Sequence, residues 1–339
     1  MAIQFQQTGV FPHGMAPSEE KAALRAVEVC GRTAYKSEDR ITEDSACAFV
    51  VTLKKRGHLS VLEHSNVVLR ISGTPEWTRA KVRLDADGFR CSLVNLLDLR
   101  NGYHRIYPAR DPLSGDFIIA GNFRAWIETI VHLRNRSDSY YHLFAASLSR
   151  FFPNLFEADY PFATSLPCSV SLVNEEEQLA MLREDPSSDL PVFMFKIVCD
   201  RGITHEIVRH RVLSFTQEST RYVNYQNKGM SLIVPEELDP FFDAEKSGFT
   251  VDDPLVEKWK TRAEAIFDWY QEDLARGLKP ETARDILPNL LKSEIFVSGR
   301  WSGWRHFLDL RDSKQAHPRI RFIAGEIRDY FDSLGVAAR

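Results

Sequence analysis

The chain carries neither of the usual glycine-rich phosphate loops. Its 339 residues contain no GxxxxGK[ST] and no GxGxxG, so a P-loop and a Rossmann cofactor site are both unsupported. Cysteine is scarce as well. Cys30, Cys47, Cys91, Cys168 and Cys199 are odd in number, scattered, and form no CxxC pair. Such a set argues against a disulfide scaffold or a zinc ribbon and for a reducing compartment. No run of 18 apolar residues occurs, and the opening "MAIQFQQTGVFPHG" lacks a basic-then-apolar signal pattern. The expectation is a soluble, cytoplasmic protein with no membrane partner. An excess of positive charge is also missing: Lys and Arg number 43 against 47 Asp and Glu, a net charge of −4. No overall field therefore recruits nucleic acid, and positive charge is local.

What is present is an ordinary globular composition, 44% hydrophobic and 27% charged. The length suits one large domain with an insertion, or two domains. The pattern predicts a first helix opening at Pro17 and Ser18 and stopping at Gly31, and a second capped by Thr42 and stopped by Gly57. A short polar turn, "HLSVLEH", follows at 58–64. Apolar runs of strand length lie at 66–72 and 191–200. Between them come strand-like pieces with turns at Asp87-Gly88 and Ser114-Gly115, then helical patterns near 122–134 and 137–151. Past Gly202, "ITHEIVRHRVL" predicts a helix ended by its basic cluster, and "SLIVP" a strand. The clearest helix has Asp253 as cap, Pro254 at its first position and Gly277 as stop, with a stripe of Leu255, Trp259, Ala263, Ile266, Tyr270 and Leu274. A helix in "PETARDIL", a strand in "SEIFVSG" and helices in "WSGWRHFLDLR" and "HPRIRFIAGEIRDYFDSLG" complete the chain. The order is mixed α+β, without strict alternation.

Chemistry concentrates in "RHRVLSFTQESTRY", residues 209–222. Arg209, His210 and Arg211 stand side by side, and a polar run from Ser214 to Arg221 follows, rich in donors and without glycine. A helix C-terminus favours cations, so a solvated helix end is one reading. An anion site is the other, since Arg forks grip phosphate and nearby hydroxyls complete the grip. The "HEIVRH" within the preceding helix is not a zincin motif. His205 and His210 are five residues apart, which turns one ring roughly 140° from the other at 100° per residue. His58, Glu63 and His64 have no regular ligand spacing either, so no metal is expected. A third cluster comprises Arg284, Arg305, His306 and Arg311; read singly, these are helix-end or surface cations.

Taken together these segments resemble one family. RHR, seven residues, then Ser is the signature of the flavin-dependent thymidylate synthases, matched in full at 209–219, with Arg221 two residues on. "GRTAYKSEDRITED", "RGHLSVLEH", "CDRGITHEIVRHR", "ARDILPNLLKSEI" and "WRHFLDLRDSKQAHP" also resemble that family, in its order. The resemblance covers about 20–64 and 191–334. It implies a core of mixed helices and antiparallel sheet formed by 1–64 and 191–339, with 65–190 an insertion relative to compact members.

The resemblance further implies reductive methylation of dUMP to dTMP, a methyltransferase reaction. Methylenetetrahydrofolate would be the carbon donor and NADPH-reduced FAD the hydride source, in a homotetramer whose sites collect residues from several subunits. Arg209, His210 and Arg211 match FAD contacts, with His58, Ser60, Gln217, Arg300, Ser302 and His306 around the same cofactor. Glu206, Arg209, Gln217, Glu218, Ser219, Thr220, Arg221, Arg284 and Arg311 match the dUMP side. Arg311 takes the catalytic role: always protonated, it cannot be a base, but it can stabilise negative charge developing on the uracil ring. Ser219 is read as a ligand, not a nucleophile, because no Ser-His-acid arrangement is evident. No cysteine has a basic, polar neighbourhood that would lower a thiol pKa, Cys199 near Arg201 excepted.

The sequence departs from the family pattern at three positions. Glu206 stands for a Gln, Gln217 for a Glu, and Arg300 for a flavin-contacting Asn. Meanwhile "GNFRAW" at 121–126 restores, inside the insertion, the Asn, hydrophobic, Arg and Trp order that "RWSGW" at 300–304 has lost. One reading makes Asn122 a helix cap. The other has Asn122 or Arg124 contribute to the flavin pocket. Two rival functions follow: a non-catalytic nucleotide-binding homologue, and a single-strand nucleic-acid binder using Arg with Tyr222 and Tyr225, which the acidic net charge disfavours.

Overall fold

A computed structural model describes residues 3–73, 82–85, 88–91, 105–108, 117–135, 139–156 and 168–336. Two four-stranded antiparallel sheets organise these residues. The strands used below are β1 (Gly9–Met15), β2 (Val67–Gly73), β3 (Arg105–Pro108), β4 (Phe117–Gly121), β5 (Cys168–Leu172), β6 (Val192–Asp200), β7 (Ser214–Gln217) and β8 (Lys292–Arg300). The helices used below are α1 (Glu20–Tyr35), α2 (Ser45–Lys55), α3 (Phe123–Asn135), α4 (Ser139–Phe151), α5 (Glu175–Glu184), α6 (Arg201–Ile207), α7 (Pro254–Ala275), α8 (Trp301–Arg311) and α9 (Pro318–Ser333), and short helical turns lie at Tyr225–Lys228 and Pro280–Ala283. One sheet has the order β7-β8-β6-β1, the other β3-β4-β2-β5. The α+β expectation is borne out.

Alternation along β6 and β8 sorts side chains between two layers. Phe193, Phe195, Ile197, Ile295 and Val297 enter a core with Trp304, Phe307, Ile323, Ile327 and Phe331 of α8 and α9. On the opposite face, Val192, Met194 and Phe296 pack with Ala16 and Cys30, beneath α1. Central strands buried on both faces read as near-continuous apolar runs, which is how 191–200 appears in the sequence.

The first helix runs longer than expected. Gly31 does not stop α1, which continues to Tyr35 with Lys36 as its left-handed cap at φ 47°. A Cβ on Gly31 would lie 2.7 Å from a ring carbon of Phe49 in α2. The glycine is there for close approach, not termination. In α7 the buried stripe is Val256, Ala263, Phe267 and Tyr270, with Leu255, Trp259 and Leu274 only partly covered. The turn at Asp87-Gly88 lies partly, and that at Ser114-Gly115 wholly, outside the described residues.

The described part of 65–190 shares a core with the N-terminal helices. Leu24, Val27, Val50, Leu53 and Leu62 join Val67, Leu69, Ile119, Phe123, Trp126, Phe144 and Phe152 in one apolar cluster. A further cluster closes α7 over Phe5, Tyr225, Leu232 and Leu291.

Candidate active site

Helix α6 delivers the basic cluster. Asp200 caps it by accepting from Ile203 N–H at 2.9 Å, and Arg319 holds that carboxylate at 2.7 Å. The helix ends at Ile207, and Leu213 then anchors the turn. A Cβ on Gly299 would meet Leu213 Cδ2 at 2.2 Å and one on Gly303 would meet it at 2.9 Å. The two glycines of "SGRWSG" thus form a slot for one side chain. Between helix and slot, Arg209 and Arg211 are exposed and their side chains make no hydrogen bond or ion pair with the described residues, while His210 turns inward. Its ring lies edge-on to Phe307 at 4.8 Å and to His306 at 5.9 Å.

Arg311, the last residue of α8, arrives at the same point. Its Nη1 donates to Glu206 Oε2 at 2.8 Å, its Nη2 to the Glu206 carbonyl at 3.3 Å, and its Nε to His210 Nε2 at 2.9 Å. Because His210 Nε2 accepts, the imidazole proton sits on Nδ1. Burial, with Arg311 and His306 beside the ring, pushes the His210 pKa down to about 4, so the ring is neutral at pH 7. Its Nδ1 is buried and has no partner among the described residues. An orphaned buried donor is rare and marks a group arranged for something the chain alone does not supply. A donor here, with two free guanidinium forks beside it, fits a ring acceptor and pyrophosphate such as FAD presents. Held from two sides, Arg311 is preorganised.

The polar run after the cluster divides into supports and outward groups. Gln217 Nε2 donates to Thr204 and Ser293 hydroxyls, each at 2.9 Å. Glu218 is buried: it accepts from Tyr225 Oη at 3.0 Å and pairs with Lys36 at 3.2 Å and Lys292 at 3.5 Å. Lys292 also pairs with Glu294, whose other oxygen meets Lys196 at 2.5 Å. The two lysines hold the Glu294 pKa down to about 2 against the opposing effect of burial. Lys36 and Lys292 were not legible as part of this region. The available signal was a lysine opening the apolar run 292–300. Beyond this network, Ser219 N–H donates to the Ala34 carbonyl at 3.0 Å, Arg284 reaches Thr220 Oγ1 at 3.3 Å, and exposed Arg221 pairs with Glu281 at 3.2 Å.

His58 and Ser60 lie exposed at the turn that includes the 3-10 segment Leu59–Glu63. Glu63 of that turn accepts from Ser214 Oγ at 2.8 Å, so the turn sits against the start of β7. His64 is fully buried with its nitrogens on Ser298 and Thr216 at 2.8 and 2.9 Å, which leaves neither for a metal. Arg300 donates to the carbonyls of Asp189 and Leu190 at 3.1 and 2.5 Å, and Ser302 Oγ to the Asp189 carboxylate at 2.6 Å. Both therefore fasten the turn before β6, and His306 alone of these three adjoins His210. Asn122 caps α3, its Oδ1 accepting from Ala125 N–H at 2.8 Å. The exception made for Cys199 is corrected: its thiol is buried beside Asp200, and burial foremost pushes its pKa up, not down.

Residues 187–334 match the family described as "Thymidylate synthase complementing protein". That match spans less than half of the chain. The matched segment holds α6, the basic cluster, the 217–221 run, Arg284 and Arg311. A flavin-dependent thymidylate synthase of Pyrococcus abyssi is 36% identical over 135 residues, 39% of this chain and 51% of the relative. Another from Mycolicibacterium vanbaalenii is 34% identical over 134 residues, 37% of this chain and 51% of the relative. The chain spans about half the length of the curated relatives it matches. A crystal structure of a UMP/dUMP methylase from Streptomyces cacaoi bound with 5-Br UMP covers 48% of this chain and 84% of its own, at 20% identity and a TM-score of 0.35. A likeness that slight carries no argument.

Proposed function

We propose that the chain is a flavin-dependent thymidylate synthase that converts dUMP to dTMP with methylenetetrahydrofolate as carbon donor and NADPH as reductant. Arg311 held between Glu206 and His210 carries this reading, because it presents a fixed cation where the family signature and the C-terminal arginine meet. FAD, once bound, would supply hydride. Arg209 and Arg211 would grip its phosphates, with His210, His306, His58 and Ser60 lining the ring. Gln217, Ser219, Thr220, Arg221 and Arg284 would hold dUMP, two arginines facing its phosphate. Glu218 would support that loop from beneath, and Arg300 and Ser302 would shape the pocket without touching the cofactor. Arg311 would lower the energy of a uracil ring gaining negative charge and so leave C5 more nucleophilic. The working form would be a cytoplasmic homotetramer, with 65–190 an insertion on the shared core.

The test is NADPH-dependent formation of dTMP from dUMP and methylenetetrahydrofolate by the purified, yellow protein. Arg311→Ala should keep flavin and lose about 100- to 1000-fold in rate, and Arg311→Lys should rescue little, since a point charge does not reproduce the fork. Near-normal turnover in the alanine variant would sink the role given to Arg311. A colourless protein that binds dUMP without turning it over would favour the non-catalytic homologue.

A further inference from the structure

One side chain of the inserted segment reaches the turn that carries Ser60. The start of α3 is pinned to the chain just after the Leu59–Glu63 turn: Phe123 N–H donates to Ser65 Oγ at 2.8 Å and Trp126 Nε1 to the Val67 carbonyl at 3.2 Å. That docking sets Arg124 Nη1 on Glu63 Oε1 at 2.7 Å, while its Nε reaches Glu128 at 2.8 Å. Glu63 is 9% exposed, and its second oxygen takes the Ser214 hydroxyl at 2.8 Å. Ser214 opens β7, three residues beyond Arg211. A single carboxylate therefore ties the turn bearing Ser60, the strand leaving the basic cluster, and the inserted helix. Arg124 is its sole cationic partner among the described residues.

We propose that Arg124 is a positioning residue for the cofactor pocket, acting through Glu63 on the turn that carries Ser60 and on the strand that follows Arg211. This rests on the reading that FAD occupies that pocket. Removing the guanidinium would leave a nearly buried carboxylate with one hydroxyl, and it would turn toward water or a new donor. Ser60 and Arg211 would then lose their fixed separation. Asn122 has no such part, because its side-chain oxygen is committed to capping α3.

The test measures FAD affinity of flavin-stripped protein by flavin fluorescence, with thermal melts on every variant. Arg124→Ala should weaken FAD by about tenfold. Glu128→Ala, which removes the carboxylate on the Nε of Arg124, should leave FAD affinity unchanged. Arg124→Lys should recover part of the loss. Arg124→Ala placed on Glu63→Gln should add less than about twofold, because the two act through one contact. If Arg124→Ala does not fold, Arg124→Gln reads the same loss. Wild-type affinity in Arg124→Ala or Arg124→Gln overturns this inference and leaves the cofactor reading standing. Wild-type protein that takes up no FAD overturns both.

Discussion

Acidification should destabilise this protein well before its carboxylates protonate, because two histidines are built in neutral. His64 is fully buried between the Ser298 and Thr216 hydroxyls, and burial pushes its pKa down to about 3. His210 is pushed down to about 4. Both folded values lie below the ordinary histidine value of about 6.5. The unfolded chain therefore takes up protons first as pH falls. Stability from these groups is complete above about pH 6.5 and is lost on the way down, through about 4 for His210 and about 3 for His64. Each histidine costs up to about 1.4 kcal/mol per pH unit in that window, so His64 alone removes about 2 kcal/mol by pH 5. His210, whose ring borders the candidate pocket, removes less. The sum, about 3 kcal/mol, is a large share of a typical 5–15 kcal/mol. Urea denaturation at pH 7, 6 and 5 reads it directly. His64→Gln, which keeps a donor and an acceptor, should be less stable at pH 7 yet lose about 2 kcal/mol less between pH 6.5 and 5. A wild-type midpoint flat from pH 7 to 5, or an unchanged slope in the variant, would refute the assignment of a neutral, buried His64.

Two further outcomes follow from packing and charge. Gly31→Ala puts a methyl 2.7 Å from Phe49, so overpacking of about 1–3 kcal/mol should outweigh the roughly 1 kcal/mol gained in helix propensity. A raised melting temperature would show that the α1–α2 contact yields easily. Glu218→Gln removes the carboxylate that Lys36 and Lys292 share; Lys292 keeps Glu294, but Lys36 is left without its carboxylate partner, which should cost about 3 kcal/mol in urea denaturation and, on the proposed function, weaken dUMP binding. Wild-type stability in that variant would mean the charges are not coupled as drawn.

Much of the fold was legible because elements carry their own signals. Apolar runs gave the strands near 66–72 and 191–200 to within a residue or two, and Asp253 with Pro254 marked the start of α7. Gly31 misled because a stop glycine and a close-packing glycine look alike until the partner helix is known. The site was legible where residues lie close in sequence. Arg311 meeting Glu206 and His210 joins positions about a hundred apart, and only the family resemblance suggested it. Lys36 and Lys292 escaped notice, and Glu63 was weighed only as a metal ligand, because their importance comes from ion pairs formed across the fold, which no spacing encodes. The Asn of "GNFRAW" proved to be a cap, as local helix chemistry suggests.

The apolar cluster shared by α1, α2 and the inserted strands and helices has a consequence for how the chain comes apart. Phe123, Trp126 and Phe144 cover Leu62 and Val67 inside one continuous interior, so the larger part of the described insertion's apolar interior is shared with α1 and α2, while a smaller cluster of Val68, Ile118, Ala120, Val173 and Leu190 belongs to the insertion alone. Excision would uncover the very residues that lead into Ser60 and Glu63. Calorimetry should accordingly record the N-terminal helices and the insertion unfolding in one shared transition, and a protease that opens one should find the other open too.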